Sequence, residues 1–429
     1  MNSNTKFLKI GLSLLFIFVS LTLLGQDNNT IHEAVQQQTE QLFDSLVKVR
    51  RDLHAHPELS EQEKRTSKKI EDYLKALGLE VHSNIGGYGV VGILKTGKEG
   101  KRIAWRADID ALPSHNHEVN SATAESEEAN HVCGHDVHTT IALGIANVLT
   151  SLKGQLTGTI YFIFQPSEEN LKGAKAMMDD GLFDIINPSE IYALHVSPMP
   201  QGIIATKPQN LFADYKTLNI SYKTNDKKDE IIDYTKNLVS KMQNVASDSK
   251  FWDNRNLMDA NIGLGNSNTI FQNYITIGSN VGVKQTDDKI TIQSAISASS
   301  TSIIDSVRAN LRASILKSEY AKDLIDVFYS DSIALVLNDE KLAKLSINSI
   351  SEIYGTDKAL SLYGVIPDGR SDDFALFQKE VTGVYFLIGA SNFEKGIISM
   401  PHSANFAVDE NCIKTGVNYF SSLLIERLK

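Results

Sequence analysis

"GTIYFIFQPSEE", Gly158 to Glu169, reads as a strand that ends in carboxylates. The stretch before it, "TTIALGIANVLTSL" (Thr139–Leu152), reads as a buried helix. Two further strands lie upstream, "YGVVGILKT" (Tyr88–Thr96) and "RIAWRADID" (Arg102–Asp110). Downstream, "GAKAMMDDGLF" (Gly173–Phe183) is helical, and "EIYALHV" (Glu190–Val196) is a strand that delivers His195. Strands alternating with helices indicate an α/β sheet. Farther out, Leu42, Leu46, Val49 and Leu53 share one helical face. "SEQE", Ser60 to Glu63, reads as a capping box before the stripe of Ile70, Tyr73, Leu74 and Leu77, and Gly78 as its stop.

The character changes after about Lys207. "DYKTLNISYK" alternates like a half-exposed strand, and "KDEIIDYTKNLVSKMQNVA" is an amphipathic helix. "NYITIGSNVGV" and "KITIQSAIS" read as strands, followed by a helix from about Thr301 to Tyr320 and a strand at Leu324–Tyr329. The order βαββαβ is the ferredoxin-like pattern. The α/β character resumes with "LAKLSINSISEIYG", "VTGVYFLIGA" and a helix from about Asn411. The expected organisation is therefore a larger α/β domain, residues 26–206 and 333–429, with a smaller domain inserted at residues 207–332.

At 429 residues the chain exceeds what one core usually serves. Its formal charge of −10 and lack of a long basic run argue against nucleic acid as a partner. Residues 1–25 read as a secretory signal peptide. Lys6 and Lys9 precede the uncharged run Ile10–Leu24, which is short for a membrane span. An exported chain, periplasmic or secreted, with no stable membrane insertion after cleavage is expected. Only Cys133 and Cys412 could form a disulfide. Cys133 suits a ligand or nucleophile better than a staple, and Cys412 reads as a small core residue.

Ligand-type residues collect at strand ends and helix starts: Asp108 and Asp110, Cys133 and His135, Glu168 and Glu169, His195, and His402. Ends of sheet strands are where α/β folds gather site residues. Carboxylates and thiolates buried together repel and are costly to desolvate, so one or two divalent cations would compensate them. A Cys–His nucleophilic pair at Cys133 is the rival reading. It leaves Glu168, Glu169 and His402 without a task. Consecutive side chains on extended backbone point to opposite sides. One of the adjacent glutamates could then bind metal while the other faces water as general base, and the spacing does not say which.

Seven motifs in order resemble the amidohydrolase branch of metallopeptidase family 20: "RRDLHAHPELSEQE", "RADIDALP", "HVCGHD.H", "QPSEE", "ALHV", "GRSDDF" and "PHSANF". That branch includes hippurate hydrolases, N-acyl-amino-acid hydrolases and auxin-conjugate hydrolases. The resemblance covers roughly Thr39–Pro208 and Pro367–Phe420. It implies a zinc-peptidase-like catalytic domain with an inserted ferredoxin-like lid. It also implies a two-metal centre held by Cys133, His135, Glu169, His195 and His402. Glu168 would be the general base, Asp110 would orient the site, Asp108 would line it, and His138 would support it. The implied reaction is metal-dependent hydrolysis of the amide bond of an N-acyl amino acid or small peptide, by a metal-bound hydroxide. The mixed donor set allows zinc, manganese, cobalt or nickel, with zinc weakly favoured.

The lid departs from the family. A Gly-Gly-His element usually follows the first lid strand, and its histidine reaches substrate across a dimer. Here that position reads "SYKTNDKKDE", and no histidine lies between His195 and His402. "GVKQTDDKITIQSAIS" replaces an Asn-Val-Ile-Pro run and a Thr-Val-Arg strand. Losing a preorganised donor of this kind costs on the order of 10²–10³ in rate. Three readings follow: an active hydrolase with an altered substrate, a family member whose donor comes from elsewhere such as His115 or His117, or a weakly active or non-catalytic metal-binding relative that binds acylated peptides. The apolar face of the lid helix, at Ile231, Leu238, Met242 and Val245, could be covered by the lid's own sheet. Monomer and homodimer both stay open.

Overall fold

The structure is a computed structural model. It describes residues 4–114, 129–330, 334–367 and 371–429, with side chains from residue 30 onward. The main sheet has eight strands: β1 (Glu80–Ile85), β2 (Gly89–Lys95), β3 (Arg102–Asp108), β4 (Thr159–Gln165), β5 (Glu190–Pro200), β6 (Ile204–Thr206), β12 (Ala359–Ser361) and β13 (Gly383–Ser391). Their spatial order is β1-β2-β4-β3-β5-β13-β6-β12. The central four, β4-β3-β5-β13, run parallel.

Both faces of this sheet are covered, so its central strands are apolar on both sides. Ile160, Phe162 and Phe164 of β4 join Trp105, Tyr192 and Phe386 on one face. There they pack under α1 (Asn4–Ala55), α3 (His135–Ser151) and α10 (Asn411–Leu428). Tyr161 and Ile163 point the other way, to a core that includes Met177, Phe374 and Phe377. These three belong to α4 (Gly173–Asp179) and α9 (Phe374–Glu380). Among the described residues no helix is long and apolar enough to cross a membrane.

A second sheet is formed by β7 (Asp214–Lys223), β8 (Ile275–Ile277), β9 (Gly282–Gln285), β10 (Lys289–Ala298) and β11 (Leu324–Ser330). Its order is β8-β10-β7-β11, with β9 pairing beside β8 on the same strand, β10. Every pairing is antiparallel. With α6 (Lys228–Ser240) and α7 (Thr301–Leu316) the sequence order is βαβββαβ, one strand more than the expected βαββαβ. Ile231 and Val239 of α6 are buried against this sheet, with Leu238 and Met242 half-buried beside them. The expected strand "NYITIGSNVGV" is broken between Ile277 and Gly282, and α7 ends at Leu316. The three-residue strands β6 and β12 are too short to show an alternation, and they were not anticipated.

The capping-box reading of Ser60–Glu63 is corrected. The helix α2 (Lys64–Ala76) has Glu63 as its N-cap, with no side-chain cap bond. Ser60 Oγ instead donates to Asp110 Oδ2 at 2.7 Å, and Glu63 Oε1 accepts from the backbone N–H of Ser167 at 2.7 Å. Both residues reach across to the ends of β3 and β4, and tertiary partners won over the local cap.

Phe420 of α10 anchors the helical layer to the sheet. Its ring lies 4.7 Å from that of Trp105 and 5.1 Å from that of Phe386. Phe420→Ala is expected to lower the unfolding free energy by about 3–5 kcal/mol, read by urea denaturation.

Candidate metal centre

The site lies at the C-terminal ends of β3 and β4 and beside the middle of β5, where His195 stands. Arg106, Asp108 and Asp110 are two residues apart, so they leave β3 toward the same side. Asp110 accepts from Ser60 Oγ, from the N–H of Glu169 at 3.0 Å, and from His135 Nδ1 at 3.1 Å. With Nδ1–H committed to Asp110, His135 presents Nε2 to the centre. That nitrogen is buried and has no hydrogen-bond partner. Neither has Glu169 Oε1, which lies 3.6 Å away.

The expectation for the adjacent glutamates is corrected. They were expected to point to opposite sides of an extended backbone. The chain instead leaves the strand at Gln165, and Ser167 adopts a left-handed φ of 55°. Both carboxylates then face the same imidazole, Glu168 Oε2 at 3.7 Å and Glu169 Oε1 at 3.6 Å from His135 Nε2.

Cys133 Sγ sits between two imidazoles, 3.1 Å from His195 Nε2 and 3.1 Å from His402 Nε2. His195 Nδ1–H is spent on the carbonyl of Val196 at 2.8 Å, so its Nε2 lone pair faces the sulfur. His402 has a left-handed φ of 59°, a costly conformation for a residue with a side chain. Its backbone N–H donates to Val132 O at 2.9 Å, which ties it to the Cys133 segment. Its Nε2 is 3.5 Å from Glu169 Oε2.

The donors fall into overlapping sets: Cys133, His135 and His195; Cys133, Glu169 and His402; and His135, Glu168 and Glu169. Within each set the donor atoms all lie within 4.8 Å of one another. Ligand atoms bonded at about 2.0–2.3 Å to one ion sit about 3–4 Å apart. Thiolate, imidazole and carboxylate donors with orphaned lone pairs fit divalent cations, and the shared thiol fits two adjacent ones.

The electrostatics point the same way. Burial pushes the Cys133 thiol and the Glu168 carboxyl well above their usual ranges, and the surrounding carboxylates push them further. Burial opposes a charge on His135, yet Asp108, Asp110 and Glu169 outweigh it and hold that imidazole up at about 10. Without a cation the Cys133 and Glu168 positions therefore favour their protonated forms, and metal binding there would release protons.

His138 takes no part in the open sets around Cys133. Its Nε2 accepts the N–H of Val196 at 2.9 Å, and its Nδ1 donates to Asp108 at 2.6 Å. Asp108 is held by His138 and by Arg106 at 2.7 Å, which makes it a brace. Asp136 is bound by Arg50 and by His54, each at 2.8 Å. His115 and His117 lie outside the described residues.

Sequence reasoning assigned no role to Arg106, Asp372, Asp373 or Tyr385. Arg106 is fully buried and donates to Asp108 and to both oxygens of Asp372, at 3.1 and 2.9 Å. It also donates to Asp373 at 3.3 Å and to Gln165. Tyr385 donates to Asp372 at 2.6 Å. The two-residue spacing of Arg106, Asp108 and Asp110 was the available signal. A cavity of ≈ 580 Å³ opens beside Glu168, Glu169, Cys133, His195 and His402.

A doubly covered α/β sheet with such a donor cluster at its strand ends defines a metal-centred hydrolase class. The chain belongs to Peptidase family M20/M25/M40, whose model matches residues 104–426, and it is with that family a hydrolase of amide bonds. It is 27% identical over 418 residues to a protein named thermostable carboxypeptidase 2 of Saccharolobus solfataricus, covering 92% of this chain and 98% of that one. Hippurate hydrolase of Campylobacter jejuni is 40% identical over 170 residues, 40% of this chain and 43% of its own. Among solved structures, the YXEP protein of Bacillus subtilis, described as a dinuclear metal binding peptidase, superposes with a TM-score of 0.69 at 24% identity. The match covers 91% of this chain and 99% of that one. These agree with the amidohydrolase-branch resemblance carried by the motifs.

Arg106→Leu strands three buried carboxylates. It is expected to cost about 3–5 kcal/mol of stability in denaturant titrations, with partial recovery when Asp372→Asn is added.

Proposed function

We propose that the chain hydrolyses the amide bond of N-acyl amino acids or small peptides, with two divalent cations held by Cys133, His135, Glu169, His195 and His402. The observation that carries this reading is Glu168. Its carboxyl shares the donor cluster, lines the cavity, and is held proton-hungry by burial and by Asp372, Glu169, Asp373 and Asp108. Bound cations supply positive charge that polarises the amide carbonyl and acidifies water.

The chain's own groups do the rest. Glu168 takes a proton from the attacking water and returns it to the leaving nitrogen as the C–N bond breaks, giving a carboxylic acid and a free amine. Asp110 keeps His135 in the tautomer that offers Nε2. Asp372, braced by Arg106 and Tyr385, sets the charge around Glu168. Thiolate beside imidazole favours zinc among zinc, manganese, cobalt and nickel. The lysines and apolar run of residues 1–25 support export to the periplasm or beyond.

The test uses purified protein with zinc, manganese or cobalt restored and a panel of N-acyl amino acids and dipeptides. Turnover is expected, with loss on chelation. Glu168→Gln is expected to lower kcat by about 10²–10⁴-fold while bound metal, measured by elemental analysis, is retained. Full metal occupancy with no turnover on any substrate would overturn the hydrolase reading in favour of a metal-binding protein for acylated peptides.

A further inference from the structure

The connection between α6 and β8, residues 241–274, is far longer than the usual loop of about 4–6 residues. Connections of that length inside a compact domain are commonly lids or binding loops. This one leaves the second sheet and packs on the main one. Phe251, Phe271 and Tyr274 are buried in the same core as Phe374 and Tyr385. Its backbone is fastened to the stretch before Pro367. Leu264 O accepts from the N–H groups of Tyr363 and Gly364 at 2.9 and 3.0 Å, and Phe271 O accepts from Val365 at 2.7 Å. Gly364 permits the approach, because a Cβ there would meet Leu264 Cδ2 at 2.8 Å.

The fastened segment forms one wall of the cavity beside the metal centre. Leu257, Met258 and Leu264 line the cavity together with Phe212, Leu362 and Ile366. The volume of ≈ 580 Å³ falls within the ~300–1,000 Å³ typical of pockets that enclose a drug-sized ligand. A two-carbon acyl group would leave most of it unfilled. The charged side chains on the wall besides the two imidazoles are Glu168, Glu169, Asp259 and Asp372. Among the described lining residues none is lysine or arginine. Away from the metal donors, most of the described wall is apolar, Leu257, Met258, Leu264, Phe212, Leu362 and Ile366 among it, and an apolar group fits there without desolvating a charge.

We propose that residues 257–265 roof an acyl subsite in cis, and that this roof selects amides whose acyl group is bulky and apolar. The proposal rests on the hydrolase reading for its chemistry, but not for its binding.

Two measurements test it on the full chain. With metal restored, kcat/KM for N-acetyl-, N-hexanoyl- and N-dodecanoyl-glycine is expected to rise at least ~10-fold from acetyl to hexanoyl. Leu264→Asn and the half-exposed Met258→Asn should each cut the hexanoyl-to-acetyl ratio by about 10-fold or more. Met258 sits at the surface, so its variant tests the roof even where Leu264→Asn fails to fold. Separately, Trp252 lies in the same 241–274 connection shortly before the roof, and the other tryptophan, Trp105, is buried in the core. Its fluorescence in the metal-free protein is expected to report N-dodecanoyl-glycine at least ~10-fold more tightly bound than N-acetylglycine, and Met258→Asn should erase the difference. Turnover that is indifferent to acyl length and to both roof variants overturns the subsite while the hydrolase reading stands. Chain-length-dependent binding without any turnover overturns the hydrolase reading while the subsite stands.

Discussion

Negative charge crowded at the ends of β3 and β4 is the constraint on which the rest of this molecule depends. Asp108, Asp110, Glu168, Asp372 and Asp373 are buried together, with Glu169 and the thiol of Cys133 at their edge. One guanidinium, that of Arg106, meets three of them. Against the effect of burial, His135, His138 and Arg106 hold Asp108 well below the usual carboxylate range, while burial pushes Cys133 and Glu168 up, so protonating those two is one way to relieve the cluster. Divalent cations offer the other solution. The architecture around the site serves this balance, because each anionic group is positioned by a rigid strand end or by a backbone bond from a neighbouring segment.

Much of the fold was legible from pattern. The apolar runs of β3, β4 and β13 and the half-alternating β7 and β10 have the lengths and residue types of their strands. In the second sheet the long strands β7 and β10 and the helices α6 and α7 could be read because each carries its own periodicity, whereas the split of one expected strand into β8 and β9 could not. Short elements carry none, and β6 and β12 were invisible for that reason. Ser60 and Glu63 were misread because a capping signature describes a local solution. Here Asp110 and the Ser167 amide offered buried partners that a short helix start could not match.

The site was legible as a set of residue types and not as an arrangement. Cys133, His135, Glu168, Glu169, His195 and His402 do meet at one place. The left-handed Ser167 that turns both glutamates the same way has no sequence signal, since serine is not a residue that announces positive φ. Arg106 was passed over because a buried arginine looks like any other until its three aspartates are seen around it. The intrachain roof was hidden for a related reason. Residues 241–274 have little regular structure, and their apolar side chains find partners on a sheet that begins more than a hundred residues away in sequence.

His402 stands near the end of the chain, and its amide is bonded to the residue just before Cys133. The donor set therefore spans most of the polypeptide and cannot close until nearly all of it has been synthesised and folded. A partly made chain holds Cys133 and His135 without their later companions and has no complete cage to offer. The choice of any cation that these donors would hold is thus deferred to the end of folding, to the solution in which the C-terminal residues finally dock.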